Sequence, residues 1–467
     1  MNNKYDYDAI IIGAGIGGLV CGCYLAKAGL KTLIVEKNAQ PGGYCTSFKR
    51  GNFLFDASVH SLGSFRENGN IRKVFDELEL DYKTNIVRKD PSDIIKSDDF
   101  EIFFWNDIDK TIDSFANVFQ NEAEGIKSFF YYLSGKESGP SLFNLSKISF
   151  LELLQKYFKD QKLISTLSLP ILGNAGLPAS LVSSVTAVAL YREFILDGGY
   201  YPEGGMQRFP NLLMRKFAEL NGDIWLKETV NRISIQKNIA TDIKTVSGRE
   251  ASSKYIISGV DATQTFLDLI EEKDQSENLV IKLKEMKPSL SMFIAYLGIE
   301  NYENKYPGTN YWFMPYYDLE NAYKKAESGS IDSLDWYLAR MSQDKKTVLG
   351  MVNAPFNNGK YWKKNKNNML EKLITKMEQV MPNLSRHILY KEAATPHTLF
   401  KWTLNRDGAA YGWAGTKGQL ADLDFRQSSY IKNLFLAGHW TSLVQGIPGV
   451  AFIGRSTADI ITKKRKN

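Results

Sequence analysis

Cysteine and histidine are scarce in this chain, and their scarcity closes off several kinds of chemistry. The 467 residues include three cysteines and four histidines. Cys21, Cys23 and Cys45 all lie in the first tenth of the sequence. No disulfide framework can staple the rest, which fits a reducing, cytoplasmic setting. Cys21 and Cys23 are two residues apart and so fall on different faces of a helix. His60, His387, His397 and His439 follow no zinc spacing, so no metal is expected. No Ser-His-Asp or Cys-His pattern stands out either. A cationic leader is missing: Asp6 and Asp8 precede the first apolar run, so no secretory signal is expected. The longest uncharged stretch, 163–191, is interrupted by Pro170, Asn174, Gly176 and Pro178. It reads as buried helices lining an apolar cavity, not as a membrane span. A large charge excess is also absent. The net charge is +6, from 58 basic and 52 acidic residues, too small and too dispersed for a nucleic-acid partner. The one basic cluster, Lys463-Lys464-Arg465-Lys466, reads as a solvated tail that supports peripheral contact with a membrane at most.

What is present begins with periodicity. Residues 8–12 form an apolar run ending at Gly13, a helical pattern covers 17–28, and a second apolar run, 31–35, ends at Glu36. This is strand, turn, helix, strand within about 30 residues. The turn reads Gly13-Ala14-Gly15-Ile16-Gly17-Gly18, and Glu36 follows Gly13 by 23 positions. Gly13 permits the tight turn, Gly15 lets backbone approach a diphosphate, and Gly18 allows the helix to pack close to the strand. The diphosphate then sits on the helix N-terminus, with Glu36 (and Lys37 beside it) at the ribose. A dinucleotide-binding unit follows from this context, without a choice between nicotinamide and flavin. No second glycine motif of this kind follows a strand elsewhere.

The next residues are Gly42-Gly43, Ser47, Gly51, Phe55-Asp56 and His60. They resemble the extended FAD fingerprint of the amine-oxidase-like flavoproteins, in which a glycine pair runs past the diphosphate. Many such proteins have Arg after the pair. Here it is Tyr44, so that charge is absent or supplied by Lys49 or Arg50. Near the end, residues 434–441 run Leu-Phe-Leu-Ala-Gly-His-Trp-Thr, followed by Gln445-Gly446-Ile447-Pro448-Gly449-Val450. A strand enters a glycine turn and a helix begins near Ile447, with Pro448 in its first turn. This resembles the closing FAD motif of the phytoene desaturase, carotenoid isomerase and retinol saturase group. The resemblance implies flavin contacts from Gly438, His439, Gly446, Ile447, Pro448 and Val450. Members of the group commonly have an acidic residue where this chain has His439. The middle segment, Gly198-Gly199-Tyr200-Tyr201-Pro202-Glu203-Gly204-Gly205-Met206, resembles the same group and places Val230 at the adenine. Ala394-Thr395-Pro396-His397 and Gly408-Ala409-Ala410-Tyr411-Gly412-Trp413 continue the likeness. His60, His397, Tyr411 and Trp413 become candidates for the flavin face.

The matching pieces are separated, so the expected fold is α/β and discontinuous. A Rossmann-like FAD domain with a parallel sheet takes 1–65, 198–266 and 421–467. A mixed α+β substrate domain takes 66–197 and 267–420. The resemblance implies an oxidoreductase in which FAD exchanges hydride with an apolar carotenoid-, retinoid- or polyene-like substrate, giving desaturation, saturation or isomerisation of double bonds. It leaves the electron acceptor open. The same scaffold also serves flavin oxidation of amines or other biosynthetic intermediates, and a third reading is an FAD-binding scaffold without catalysis.

Overall fold

The computed structural model describes residues 5–81, 86–329, 334–420, 427–428, 430–441 and 446–466. Gln445 of the closing motif and the expected boundary at 421 lie outside them. The first strand, Tyr7–Ile12, lies at the middle of a seven-stranded sheet. It runs parallel to Thr32–Glu36 on one side and to Glu250–Ser258 on the other. Asp223–Leu226 extends the parallel array beyond Thr32–Glu36. Strand Glu250–Ser258 belongs to two arrangements. Its first half pairs antiparallel with Ile239–Thr245, which pairs in turn with Val230–Gln236. Its second half pairs parallel with Leu434–Leu436.

The first strand reads as an unbroken apolar run because both of its faces are covered. Ala9 and Ile11 pack with Leu19 and Val20 of helix Ile16–Lys27. Ile10 and Ile12 pack on the opposite side with Val230 and Ile233. Helix Arg208–Glu219 and the closing helix Gly446–Lys466 join the first of these clusters through Phe209, Leu213, Ile447 and Ala451.

A second seven-stranded sheet is built from 93–104 and 291–394. Its spatial order is Ile388–Ala394, Ser291–Ile299, Thr347–Ala354, Tyr337–Met341, Asn310–Phe313, Asp93–Lys96 and Glu101–Phe104. All neighbours are antiparallel except Asn310–Phe313 against Asp93–Lys96. The uncharged stretch packs in the same core as helices Gln161–Ala175 and Ser184–Leu190. Among the described residues no helix is long and apolar enough to cross a membrane.

Three local readings change. Helical periodicity over 149–162, with Ser149 and Glu152 at capping-box spacing, predicts one helix; the capping box is present, but its helix ends at Leu154. A second helix starts at Gln161, because the Asp160 carboxylate accepts from the amides of Lys162 and Leu163 and caps a new N-terminus. That helix runs through Pro170 and stops at Gly176, which is left-handed at φ 66°. A proline inside a helix costs about 3 kcal/mol. Burial of every residue from 166 to 175 holds the turn together. The basic C-terminal cluster, expected as a solvated tail, is the end of the closing helix; Lys463 and Lys464 are exposed there, and the Lys464 ammonium lies 5.2 Å from the Phe435 ring centroid.

Helix Ile16–Lys27 and the closing helix meet through glycine. A Cβ on Gly454 would lie 2.3 Å from the carbonyl oxygen of Gly17 and 3.1 Å from the amide of Cys21. Both are backbone atoms of a helix and have no rotamer by which to yield. Gly454→Val therefore forces the helices apart. It is expected to lower stability by about 1–3 kcal/mol, the range for overpacking a core, measured as an earlier denaturant midpoint at unchanged m-value.

Candidate functional site

The site forms where the first strand ends. Gly13 turns the chain at φ +95°, and its amide donates to the carbonyl of Val35 at 2.8 Å. Gly15 is the N-cap of the following helix and offers no capping side chain. The first-turn amides are thus left to whatever occupies the space before them, and the helix dipole makes that space favourable for an anion. A Cβ on Gly15 would meet nothing within 4 Å, so it would project into that space. Gly18 has the opposite surroundings: its Cβ would lie 2.3 Å from the Gly13 carbonyl oxygen. Gly17 is pressed against the C-terminal segment, where a Cβ would come within 3.1 Å of the Gly438 amide.

Two further strand ends complete the rim. The Glu36 carboxylate accepts from the amides of Ala14 and Asn38, each at 2.8 Å, which fixes it beside the glycine turn. Burial pushes its pKa above the ordinary carboxylate value, opposed by those two amides. The Gly42 amide donates to the carbonyl of Ala14 at 2.8 Å. Gly42 sits at φ +127°, and a Cβ there would come within 2.5 Å of the Cys45 carbonyl. That loop is folded back so that Gly43 stands against Gly15.

One cavity connects these parts. Gly13, Gly15, Gly17, Glu36, Lys37 and Val230 line its nucleotide end, with Gly42 and Gly43 beside them. Gly438, His439, Gly446, Ile447 and Val450 line it from the closing motif. His60 and Tyr411 also line it, as do the apolar side chains of Leu190, Phe194, Met292 and Met351. Five residues singled out in the sequence are not part of the lining. Gly18 and Pro448 shape the helix starts. The Ser47 hydroxyl donates to Asp56 at 2.7 Å and accepts from the Gln207 amide. Trp413 is buried, with its indole N–H donating to the carbonyl of Trp440. His397 stacks on Phe400. Of the two cations considered as replacements for the missing arginine, neither lines the cavity. Arg50 pairs with Glu392 at 2.9 Å on the surface, and Lys49 is exposed. Tyr44 itself lines the cavity, and its hydroxyl donates to the carbonyl of Ala409.

The histidines of the cavity are neutral. Burial, helped by the Arg340 guanidinium, pushes the His60 pKa down to about 3. Its Nδ1 lies 3.2 Å from the Ser58 carbonyl, so that nitrogen carries the proton. Arg340, buried on strand Tyr337–Met341, donates to the carbonyls of His60 and Gly308. Nothing in the sequence marks this arginine. Asn405 is a second residue that pattern reading passed over. It lines the cavity at 5% exposure, and an Asn shortly before Asp407-Gly408 reads as turn chemistry alone.

A strand–glycine turn–helix cradle opening into an apolar chamber defines a dinucleotide-dependent oxidoreductase. The comparisons agree. Residues 11–78 match the model of the NAD(P)-binding Rossmann-like domain. Over 98% of its length the chain is 26% identical to prolycopene isomerase 1 of an Oncidium hybrid cultivar, covering 85% of that protein. It is 24% identical over 97% of its length to the neurosporene-forming phytoene desaturase of Rhodobacter capsulatus, covering 93% of it. Among solved structures, an oxidoreductase from Methanosarcina mazei superposes with a TM-score of 0.70 at 18% identity, over 97% of this chain and 100% of the other. The chain is an oxidoreductase that resembles the phytoene desaturase and carotenoid isomerase group along nearly its whole length.

The glycines divide by role, and the division is measurable. Gly15→Val leaves the fold in place, because its Cβ meets no protein atom within 4 Å. It is expected to weaken dinucleotide binding by about a hundredfold or more, a loss of about 3 kcal/mol. Gly18→Ala is expected to lower the melting temperature. Paired thermal melts and binding titrations separate the two effects.

Proposed function

We propose that the chain is an FAD-dependent oxidoreductase that desaturates, saturates or isomerises carbon–carbon double bonds of an apolar, polyene-like substrate of carotenoid or retinoid kind. The observation that carries this reading is the single cavity joining the glycine cradle to an apolar chamber. The cradle suits FAD. Gly13, Gly15 and Gly17 leave room and amides for the diphosphate, Glu36 serves the adenosine ribose, and Val230 borders the adenine. Gly438, packed on Gly17, and His439 after it then face the diphosphate where it meets the ribityl chain, and Gly446, Ile447 and Val450 face the ribityl and ring portions. FAD, when bound, supplies the capacity to take a hydride from carbon or return it.

The remaining work falls to the protein. Leu190, Phe194, Met292 and Met351 offer an apolar substrate a water-excluding wall, and methionine adapts to an irregular chain. Tyr411 is held in place because its hydroxyl donates to the carbonyl of Gly173. His60, neutral and fixed through its own carbonyl by Arg340, stands at the junction between cradle and chamber without adding charge to an apolar site. In this division the cradle belongs to a unit made of 1–65, 198–266 and 421–467, and the chamber to 66–197 and 267–420. A substrate that partitions into lipid favours peripheral docking at a membrane.

A second reading, oxidation of an amine, draws support from Tyr44, Tyr411 and Trp402 in the lining. Against it, the carboxylates that line the cavity among the described residues are Glu36 and Glu228, both at the nucleotide end. Among the described residues the chamber offers a protonated amine no counter-charge. The FAD-loaded protein, oxidised and chemically reduced in separate anaerobic reactions, should be incubated with detergent-dispersed conjugated polyenes and with primary amines. Chromatography is expected to show altered polyene double bonds in at least one redox state and unchanged amines. Consumption of an amine with hydrogen peroxide formation, and no polyene product, would favour the second reading.

A further inference from the structure

The closing motif contains a hydrogen-bond relay whose direction is fixed by chemistry. The Trp440 indole N–H donates to Asn405 Oδ1 at 3.0 Å. An indole nitrogen can only donate, so the Asn405 amide cannot be turned the other way. Its Nδ2 therefore faces His439 Nε2 at 3.3 Å and the Ala409 carbonyl at 3.4 Å. An amide NH₂ also only donates, which makes His439 Nε2 the acceptor. A neutral imidazole that accepts at Nε2 carries its proton on Nδ1. Burial keeps the ring neutral by pushing its pKa down to about 4. The relay is rigid: Trp440 is 1% exposed and meets Trp413 edge-on, with centroids 4.8 Å apart.

His439 Nδ1 has no partner among the described residues, and His439 lines the cavity. The residue before it, Gly438, is packed against Gly17 in the first turn of helix Ile16–Lys27. We propose that Trp440 and Asn405 are positioning residues that hold His439 in one tautomer, and that its Nδ1–H donates to an acceptor oxygen of the bound dinucleotide. This rests on the FAD reading above. It gives the chain a hydrogen-bond donor where the enzymes it resembles commonly have a carboxylate acceptor. Next to a diphosphate a donor adds attraction, whereas a carboxylate would add repulsion.

Two measurements test the assignment. FAD affinity of the flavin-stripped full chain is read by quenching of flavin fluorescence. His439→Asn, whose amide nitrogen overlays Nδ1, should bind within about threefold of wild type, and His439→Asp should bind at least about tenfold more weakly. Equal or tighter binding by His439→Asp overturns the donor assignment. If the wild-type chain takes up no FAD, the FAD reading falls and this proposal falls with it. Nitrogen NMR of the FAD-loaded protein with labelled histidine reads the tautomer directly. Wild type should show protonated Nδ1 at His439, and Asn405→Asp, which makes position 405 an acceptor, should move protonation onto Nε2. A wild-type spectrum with Nε2 protonated and Nδ1 bare overturns the relay, whether or not the Asn405→Asp variant folds.

Discussion

The structure depends on close backbone approach at the start of its first helix. Gly18 lies over the Gly13 carbonyl, Gly17 over Ala437 and Gly438, and Gly454 over Gly17. The approaches at Gly18 and Gly454 leave no room for a side chain, that at Gly17 is tight at 3.1 Å, and together they bring the first strand, the last strand and the closing helix to one point. The amides of the first turn gain no side-chain cap from this packing. The arrangement places positive partial charge at a spot the protein leaves open, a feature that anion recognition requires and that packing alone does not explain.

From that point the rest of the site follows. The two-sided burial of strand Tyr7–Ile12 fixes the height of the glycine turn. Thr32–Glu36, pairing in register beside it, delivers the Glu36 carboxylate to the Ala14 amide. Strand Glu250–Ser258 links the parallel array to the antiparallel ribbon that supplies Val230. The second sheet then contributes Met292 and Met351 to the far wall. Among the described residues the carboxylates that line the cavity, Glu36 and Glu228, belong to the nucleotide end, and the buried Arg340 is committed to two carbonyls.

The nucleotide end was legible in the sequence because its constraints are local. The glycine spacing, the apolar runs and Glu36 all lie within one strand–helix–strand unit, and the strand at 32–36 falls within a residue of the expected run at 31–35. The chamber was less legible, because it is assembled from contacts distant in sequence. Trp413 and His397 looked like flavin neighbours from their motifs, yet tertiary packing directs Trp413 to the Trp440 carbonyl and His397 to Phe400. Asn405 and Arg340 act through partners 34 and 280 residues away, which no local pattern reports. The helix expected over 149–162 is divided for a local reason: the Asp160 carboxylate caps a new N-terminus within it.

The central claim is that the glycine cradle holds FAD. Its most direct measurement is the absorption spectrum of the purified chain, before and after incubation with FAD, with mass analysis of any chromophore released on denaturation. The account predicts an oxidised-flavin spectrum and about one FAD per chain, released without proteolysis because no covalent link is required. A folded, colourless protein that takes up no FAD would contradict it.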